Sequence, residues 1–352
     1  MKIEKVLQMS KKNNIEYWKS REKQRKEAQL KNIKSIKREL QQEYNIALRE
    51  IENNIARLYS KFSEDNKINY NQAKKLLTGK DYKFWRMDIA SYIKKIERTG
   101  DERLLLELNV LAMRSRISRL EELFYQVNKN INNVYLFQHK KVEELLKASI
   151  KENYYDTIYD VQKYIGTGTT FSKLDNSIIK NILSFPWAGK NYSESIWSNR
   201  DKLKEILKTE MIQMFIRGEG NTAVAKRISD RLNTSFKFAM SLVKTENNYI
   251  TNEASRRGYE ETNVDMYQYL ANLADNTCSD CAELDLQEFP IADVVVGENF
   301  PPMHTNCNCT TIPAQVREGA TRAARIGNSK TYEVPATMNF KEWAELNNID
   351  IK

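Results

Sequence analysis

The chain has 352 residues, room for two or three domains and a sizeable core. Charged residues make up 29%, the mean hydropathy is −0.67 and no run of 18 apolar residues occurs, which excludes a membrane-spanning helix. The net charge of +9 is unevenly placed, and the scarcity of glycine (11) and proline (6) suits long helices.

The basic excess sits at the front. Residues 1–40 carry thirteen Lys and Arg against five Glu, an excess of eight. Lys11, Lys12, Lys19, Arg21, Lys23, Arg25, Lys26, Lys31, Lys34, Lys37 and Arg38 are the candidate contacts to the phosphates of double-stranded DNA; a solvated helix face is the alternative. With no aromatics interleaved beyond Tyr17 and Trp18, such contact would be blind to base sequence, and that pair reads as a hydrophobic anchor. Leu40, Tyr44, Leu48, Ile51, Ile55, Leu58 and Phe62 then recur at spacings of three and four, one apolar stripe on a helix. Residues 1–62 are expected to form a basic helical arm.

Residues 63–192 keep a helical pattern. Asp65-Asn66 breaks the first stripe, and Asn71 can cap a helix with Ala73, Leu76 and Leu77 inward. Phe84, Trp85, Ile89 and Tyr92 form the next amphipathic set, ended by Thr99-Gly100-Asp101. Leu104 to Val127 predicts one helix, and a second runs from about Asn132 to Glu152. The latter carries His139, whose neighbours Lys140 and Lys141 point to a surface or packing role. Gly166 to Thr170 reads as a joint; no Lys follows it as in a phosphate loop and no strand precedes it. Phe185-Pro186-Trp187-Ala188-Gly189 marks a second boundary.

A further domain is expected over 193–313. Trp197, Leu203, Ile206, Leu207, Met211 and Met214 lie on a helix that stops at Gly218-Glu219-Gly220. Asn221 or Thr222 caps the next, with Val224 and Ile228 inward. A third helix runs from about Ser235 to Arg257, with Gly258 as its terminating residue. Thr245 and Glu246, in mid-helix, suggest a polar network with the segment that follows, or simply a helix face. Val264 to Leu270 alternates and predicts a strand, with Glu288-Phe289-Pro290 and Cys309 to Ile312 as short candidates to pair with it.

All four cysteines and one of the two histidines fall between Asn276 and Pro313. Two residues separate Cys278 from Cys281, and two separate His304 from Cys307; each pair is a bidentate clip of the kind that holds structural zinc. With Cys309 there are five candidate ligands for four places, and the choice between Cys307 and Cys309 is open. Two disulfides and free thiols are the other readings; a chain with no secretory signal weighs against disulfides. From Gly258 to Val316 there is no Lys or Arg but ten carboxylates, surroundings that favour a cation and disfavour nucleic acid. No catalytic residue is expected. A zinc deaminase needs His-x-Glu before Pro-Cys-x-x-Cys, absent here, and if His304 is a ligand no histidine remains nearby as a base.

Thr277-Cys-Ser-Asp-Cys-Ala-Glu-Leu-Asp285 followed by Asn299-Phe-Pro-Pro-Met-His-Thr-Asn-Cys-Asn-Cys309 resembles the C-terminal signature of the phage head morphogenesis family, the Mu F-like minor head proteins. That signature reads T-C-x-x-C-x-x-L-x-G, then P-P-x-H-P-x-C-R-C. Leu286, Thr305 and Asn308 stand where the family has Gly, Pro and Arg, so the ligand-type residues are kept while the local turns depart. Leu242-Val-Lys-Thr-Glu246 resembles the family's L-V-R-T-E core, and the surroundings of Tyr17-Trp18 resemble the opening of its full-length members. The resemblance implies a virion protein of a tailed phage. It would lie in the head near the portal, and in the host cytoplasm during assembly. Its partners would be portal and capsid or scaffold proteins, with non-specific contact to DNA.

The tail, 314–352, offers Met338 to Leu346 as a short docking helix through Phe340 and Trp343. The expected fold is mainly α: a long helical N-terminal region, then a small α+β C-terminal domain with a Cys/His metal clip. The expected role is structural rather than enzymatic; the alternative is a metal-dependent nuclease or toxin-like enzyme.

Overall fold

The computed structural model of this chain describes residues 2–65, 114–165, 170–217, 221–275, 277–314, 321–325, 332–335 and 338–347. The elements expected between 66 and 113, the Gly166 joint and the Gly218–Gly220 stop lie outside those residues. The fold is mainly α, with short strands only in its C-terminal part. Long helices come first: α1 (Lys2–Asp65), α2 (Arg114–Ile165), α3 (Asn176–Ser184), α4 (Tyr192–Arg217) and α5 (Asn221–Glu261). Then follow β1 (Met266–Leu270), β2 (Leu273–Ala274), α6 (Ser279–Leu284), β3 (Glu288–Pro290), β4 (Thr310–Pro313), β5 (Thr321–Arg325), β6 (Tyr332–Pro335) and α7 (Phe340–Leu346).

Two expected helix boundaries do not exist. Separate helices are expected over Leu104–Val127 and about Asn132–Glu152, but α2 runs unbroken from Arg114 to Ile165. Asn costs well under 1 kcal/mol in a helix, and the buried line of Val127, Ile131 and Val134 carries the helix across. Likewise α5 passes straight through Asn233-Thr234-Ser235, where the Thr234 hydroxyl bonds back to the Asp230 carbonyl (2.8 Å). Gly258 is therefore inside α5 rather than its terminator. A Cβ there would come within 2.8 Å of Thr157 on α2, so this glycine permits close helix approach.

The chain divides into two compact units, residues 38–139 with 196–238, and residues 1–37 with 140–195 and 239–352. In the first, α1 buries Leu40, Tyr44, Ala47, Ile51 and Ile55. Ala47 takes the place expected for Leu48, which is half-buried; the side chains of Leu58 and Phe62 lie outside the described residues. A polar knot sits among these apolar residues. The Ser235 hydroxyl meets the Tyr135 (2.5 Å) and Tyr44 (3.2 Å) hydroxyls, and Asn199 donates to Tyr135 (2.7 Å). His139 stacks on Trp197 with ring centroids 5.4 Å apart, a packing role.

In the second unit α2 and α5 run parallel. Ser149 bonds Asn247 (2.8 Å) and Thr157 bonds Ser255 (3.3 Å), the same offset eight residues later. Ser149, Asn153, Thr157 and Asp160 make a polar line at helical spacing that is buried. The early part of α1 lies antiparallel on it: Arg21 and Arg25 both pair with Asp160, and Gln29 bonds Asn153 (3.3 Å).

Two small sheets complete this unit. The first has order β3-β1-β4, all antiparallel, with Tyr267 opposite Phe289 and Pro313. The second has order β2-β5-β6, and α7 packs there through Phe340 and Trp343 against Leu273, Ala282, Ala324 and Val334. Asn339 and Glu342 cap α7 reciprocally, so the expected docking helix starts at Phe340 and lies on its own chain.

Candidate metal centre

Four segments bring sulfur and imidazole together. Cys278 caps α6, and its sulfur accepts from the Cys281 backbone N–H (3.4 Å), so one helical turn points both thiols the same way. The second clip follows the cis Pro301-Pro302 peptide, and Cys309 leads directly into β4. The Cys307 N–H donates to the His304 carbonyl (3.1 Å), closing the His304–Cys307 turn with Asn306 at φ 63°. Tyr269, buried on β1, donates its hydroxyl to the Cys281 sulfur (3.4 Å).

The potential ligand atoms fall into two overlapping groups, Cys278 with Cys281 and His304, and Cys281 with Cys307 and Cys309. Within each, all ligand atoms lie within 4.8 Å of one another, and Cys281 is common to both. The Cys281 sulfur is 3.6 Å from His304 Nε2 and 3.9 Å from the Cys307 sulfur. Zinc–sulfur bonds of about 2.3 Å and zinc–nitrogen bonds of about 2.0 Å set tetrahedral edges of roughly 3.5–3.8 Å, so these two separations match such edges, while the ligand atoms gather as two threes that share Cys281 rather than as one set of four. His304 Nδ1 is 2.9 Å from the Thr305 carbonyl, a contact that puts the ring proton on Nδ1 and leaves the Nε2 lone pair toward the sulfurs. The Cys307 thiol is pushed down by its hydrogen bonds with Cys281 and Cys309, and Cys281 is pushed up by its own with Cys307 and Cys309. The four cysteines are not paired as disulfides.

α5 grips the second clip along one stripe. Thr245 Oγ1 accepts from the Asn306 N–H (2.8 Å). Asn248 (3.0 Å) and Asn252 (3.3 Å) both donate to the Cys309 carbonyl, and Tyr259 donates to the Thr311 carbonyl (3.0 Å). The sequence points to Thr245 but not to the asparagines, although their spacing puts them on the same face. Glu246 is buried beside them and accepts from Trp187 Nε1 (3.4 Å). Burial pushes its carboxyl up to about 7, opposed by the Trp187 bond. Leu286, standing where the resembled signature has Gly, adopts φ 64°. The turn therefore keeps a glycine-type backbone on a leucine.

The basic residues of α1 divide. The side chains of Lys11, Lys12, Lys19 and Lys23, with Tyr17 and Trp18, lie outside the described residues. Arg21 and Arg25 are engaged with Asp160, whereas Lys26, Lys31, Lys34, Lys37 and Arg38 are exposed.

Among known proteins, the family model described as Phage Mu protein F like protein matches residues 205–312, a span that ends with the second clip and β4. The Minor head protein GP7 of Bacillus phage SPP1 is 24% identical over 243 residues, 65% of this chain and 79% of that protein. The NAD(+)--arginine ADP-ribosyltransferase EFV of Enterococcus faecalis (strain ATCC 700802 / V583) is 25% identical over 246 residues, 64% of this chain and 50% of that protein. The chain thus spans half the length of the latter. No solved structure matches significantly. No described helix is long and apolar enough to cross a membrane.

Proposed function

We propose that this chain, which belongs through residues 205–312 to the phage Mu protein F-like family, is a minor head protein of a tailed bacteriophage, built in near the portal and acting in head assembly. The observation that carries this reading is the match to a minor head protein over 79% of that protein's length. Its partners are portal and capsid or scaffold proteins, met in the host cytoplasm and retained in the virion. The exposed Lys26, Lys31, Lys34, Lys37 and Arg38, with the basic residues ahead of them, contact DNA phosphate without reading bases. Residues 1–62 serve as the arm, 63–192 as the helical middle, 193–313 as the clip domain and 314–352 as a tail.

The clip holds a structural zinc ion through Cys278, Cys281, His304 and Cys307, with Cys309 supporting. The short Cys281–Cys307 separation favours Cys307, while the Cys309 carbonyl anchors the strand to α5. Bound zinc supplies a cross-link between α6 and the turn before β4.

Quantitative mass spectrometry of purified particles and empty procapsids is the test. A few copies per particle in both supports the reading, and absence from both overturns it. The activity named for the Enterococcus relative supports a second, enzymatic reading. Transfer of label from NAD⁺ to protein, or Mg²⁺-dependent plasmid cleavage abolished by His304→Ala with the fold intact, would establish it.

A further inference from the structure

A zinc ion bound through Cys278, Cys281, His304 and Cys307 leaves Cys309 over. Yet the Cys309 sulfur lies within 4.8 Å of the Cys281 and Cys307 sulfurs, which are equally close to each other. Cys281 is 1% exposed and Cys307 and Cys309 are 2% exposed. Cys278 is half-buried and His304 is exposed. The ligand atoms therefore grade from a dry interior of three sulfurs to a rim that carries the imidazole.

The walls of that interior decide what it can hold. Tyr269, Ala271, Leu284, Phe289 and Met303 pack around the three thiols. Tyr269 donates its hydroxyl to the Cys281 sulfur. An ion among the three thiols is thus offered sulfur, which disfavours hard cations that need oxygen ligands. Zinc settles at four ligands and completes its set with His304 at the rim. Cu(I) is softer, is selected by thiolate and thioether ligands, and is satisfied by three thiolates in a plane. Three metal–sulfur bonds of about 2.3 Å in one plane set edges of about 4.0 Å, against 3.9 Å between the Cys281 and Cys307 sulfurs. That distance suits either geometry; the grouping and the burial favour three sulfurs. Three thiolates outweigh the charge of a monovalent ion, and donors offset the excess. They are the Tyr269 hydroxyl on Cys281 and the backbone at Met303 and Cys309 on Cys307.

We propose that Cys281, Cys307 and Cys309 form a trigonal site for Cu(I), so that the centre takes either of two ions: zinc with His304, copper with the three buried thiols. Cys281 and Cys307 serve both, so one ion is held at a time. The inference rests on the clip's being a metal centre and gives Cys309 a ligand's role in it.

Titration of the zinc-loaded full chain with Cu(I) tests it, the copper being supplied as its acetonitrile complex without oxygen and buffered by bicinchoninate. About one Cu(I) per chain is expected to bind and about one zinc to leave, with X-ray absorption showing a copper shell of three sulfurs and no nitrogen. Two variants separate the ions. His304→Ala removes an exposed rim ligand, so zinc affinity falls at least about tenfold while Cu(I) affinity and the three-sulfur shell are kept. Cys309→Ser does the opposite: Cu(I) binds at least about tenfold more weakly, and zinc stays within about twofold of the parent. If the buried Cys309→Ser substitution disturbs the fold, as circular dichroism would show, the copper shells of the parent and of His304→Ala decide alone. A copper shell other than three sulfurs overturns the inference and leaves the zinc reading standing. So does loss of Cu(I) with His304→Ala, zinc retained beside copper, or Cu(I) affinity unmoved by Cys309→Ser in a folded chain. Binding of neither ion overturns both.

Discussion

The two small sheets of this protein reach the same end by different chemistry. Along one face of the β3-β1-β4 sheet Tyr267 packs with Phe300 and Ile291, and two residues further along β1 Tyr269 packs with a cluster of thiols. The β2-β5-β6 sheet has no thiol in its core among the described residues and depends on Trp343, Phe340 and aliphatic neighbours, with Tyr332 packed against them. A strand of four or five residues buries too little to hold itself. One sheet adds a ligand-grade sulfur cluster, and the other a helix that inserts a fully buried indole. Local stability should therefore respond to different insults in the two places.

The largest effect is expected from Cys281→Ser, because Cys281 belongs to both ligand groups. Structural zinc contributes on the order of 10 kcal/mol in small folds. Hydrogen exchange should show β1 and β4 losing protection on substitution or chelation while β5 and β6 keep theirs; equal loss in both sheets would erase the distinction. Trp343→Ala inverts the experiment. Emptying a fully buried indole site costs about 3–5 kcal/mol, and it should expose β5 and β6 while β1 and β4 keep their protection.

Glu246 adds a pH signature on the clip side. Its carboxyl sits at about 7 in the fold against 4.5 ordinarily. The native state thus holds the extra proton between those values, so stability is full below pH 4.5 and falls as pH rises through 7. The loss is at most about 3 kcal/mol. Denaturant melts between pH 5 and 8 should show this slope, and Glu246→Gln should flatten it. The smallest effect is Leu286→Gly, which relieves a left-handed leucine and should stabilise by about 1 kcal/mol; a lower melting temperature would mean that the leucine side chain matters more than its backbone.

The legible part of this chain was the local part. Alternation around Tyr267 and Tyr269 predicted a strand, and both segments expected to pair with it do so. The Cys and His spacings marked out residues that the fold brings within ligand distance. Arg21 and Arg25 show where such reading stops. In the sequence they are two more members of a basic run, and nothing in hydropathy separates a guanidinium facing solvent from one pairing with a buried carboxylate 135 or more residues away. The buried line of Ser149, Asn153, Thr157 and Asp160 failed to register for the same reason, since its partners are on other helices.

By itself the sequence determined the helical character, the strand candidates, the charge asymmetry and the clip, because each depends on near neighbours and on side-chain chemistry. Tertiary structure alone decided that helices continue through Asn-rich stretches, that Gly258 makes room for Thr157, and that a left-handed turn is kept at Leu286. It also decided which basic residues are spent inside the molecule. Propensity terms are fractions of a kcal/mol per residue, and burial or pairing against a distant segment is worth several times that.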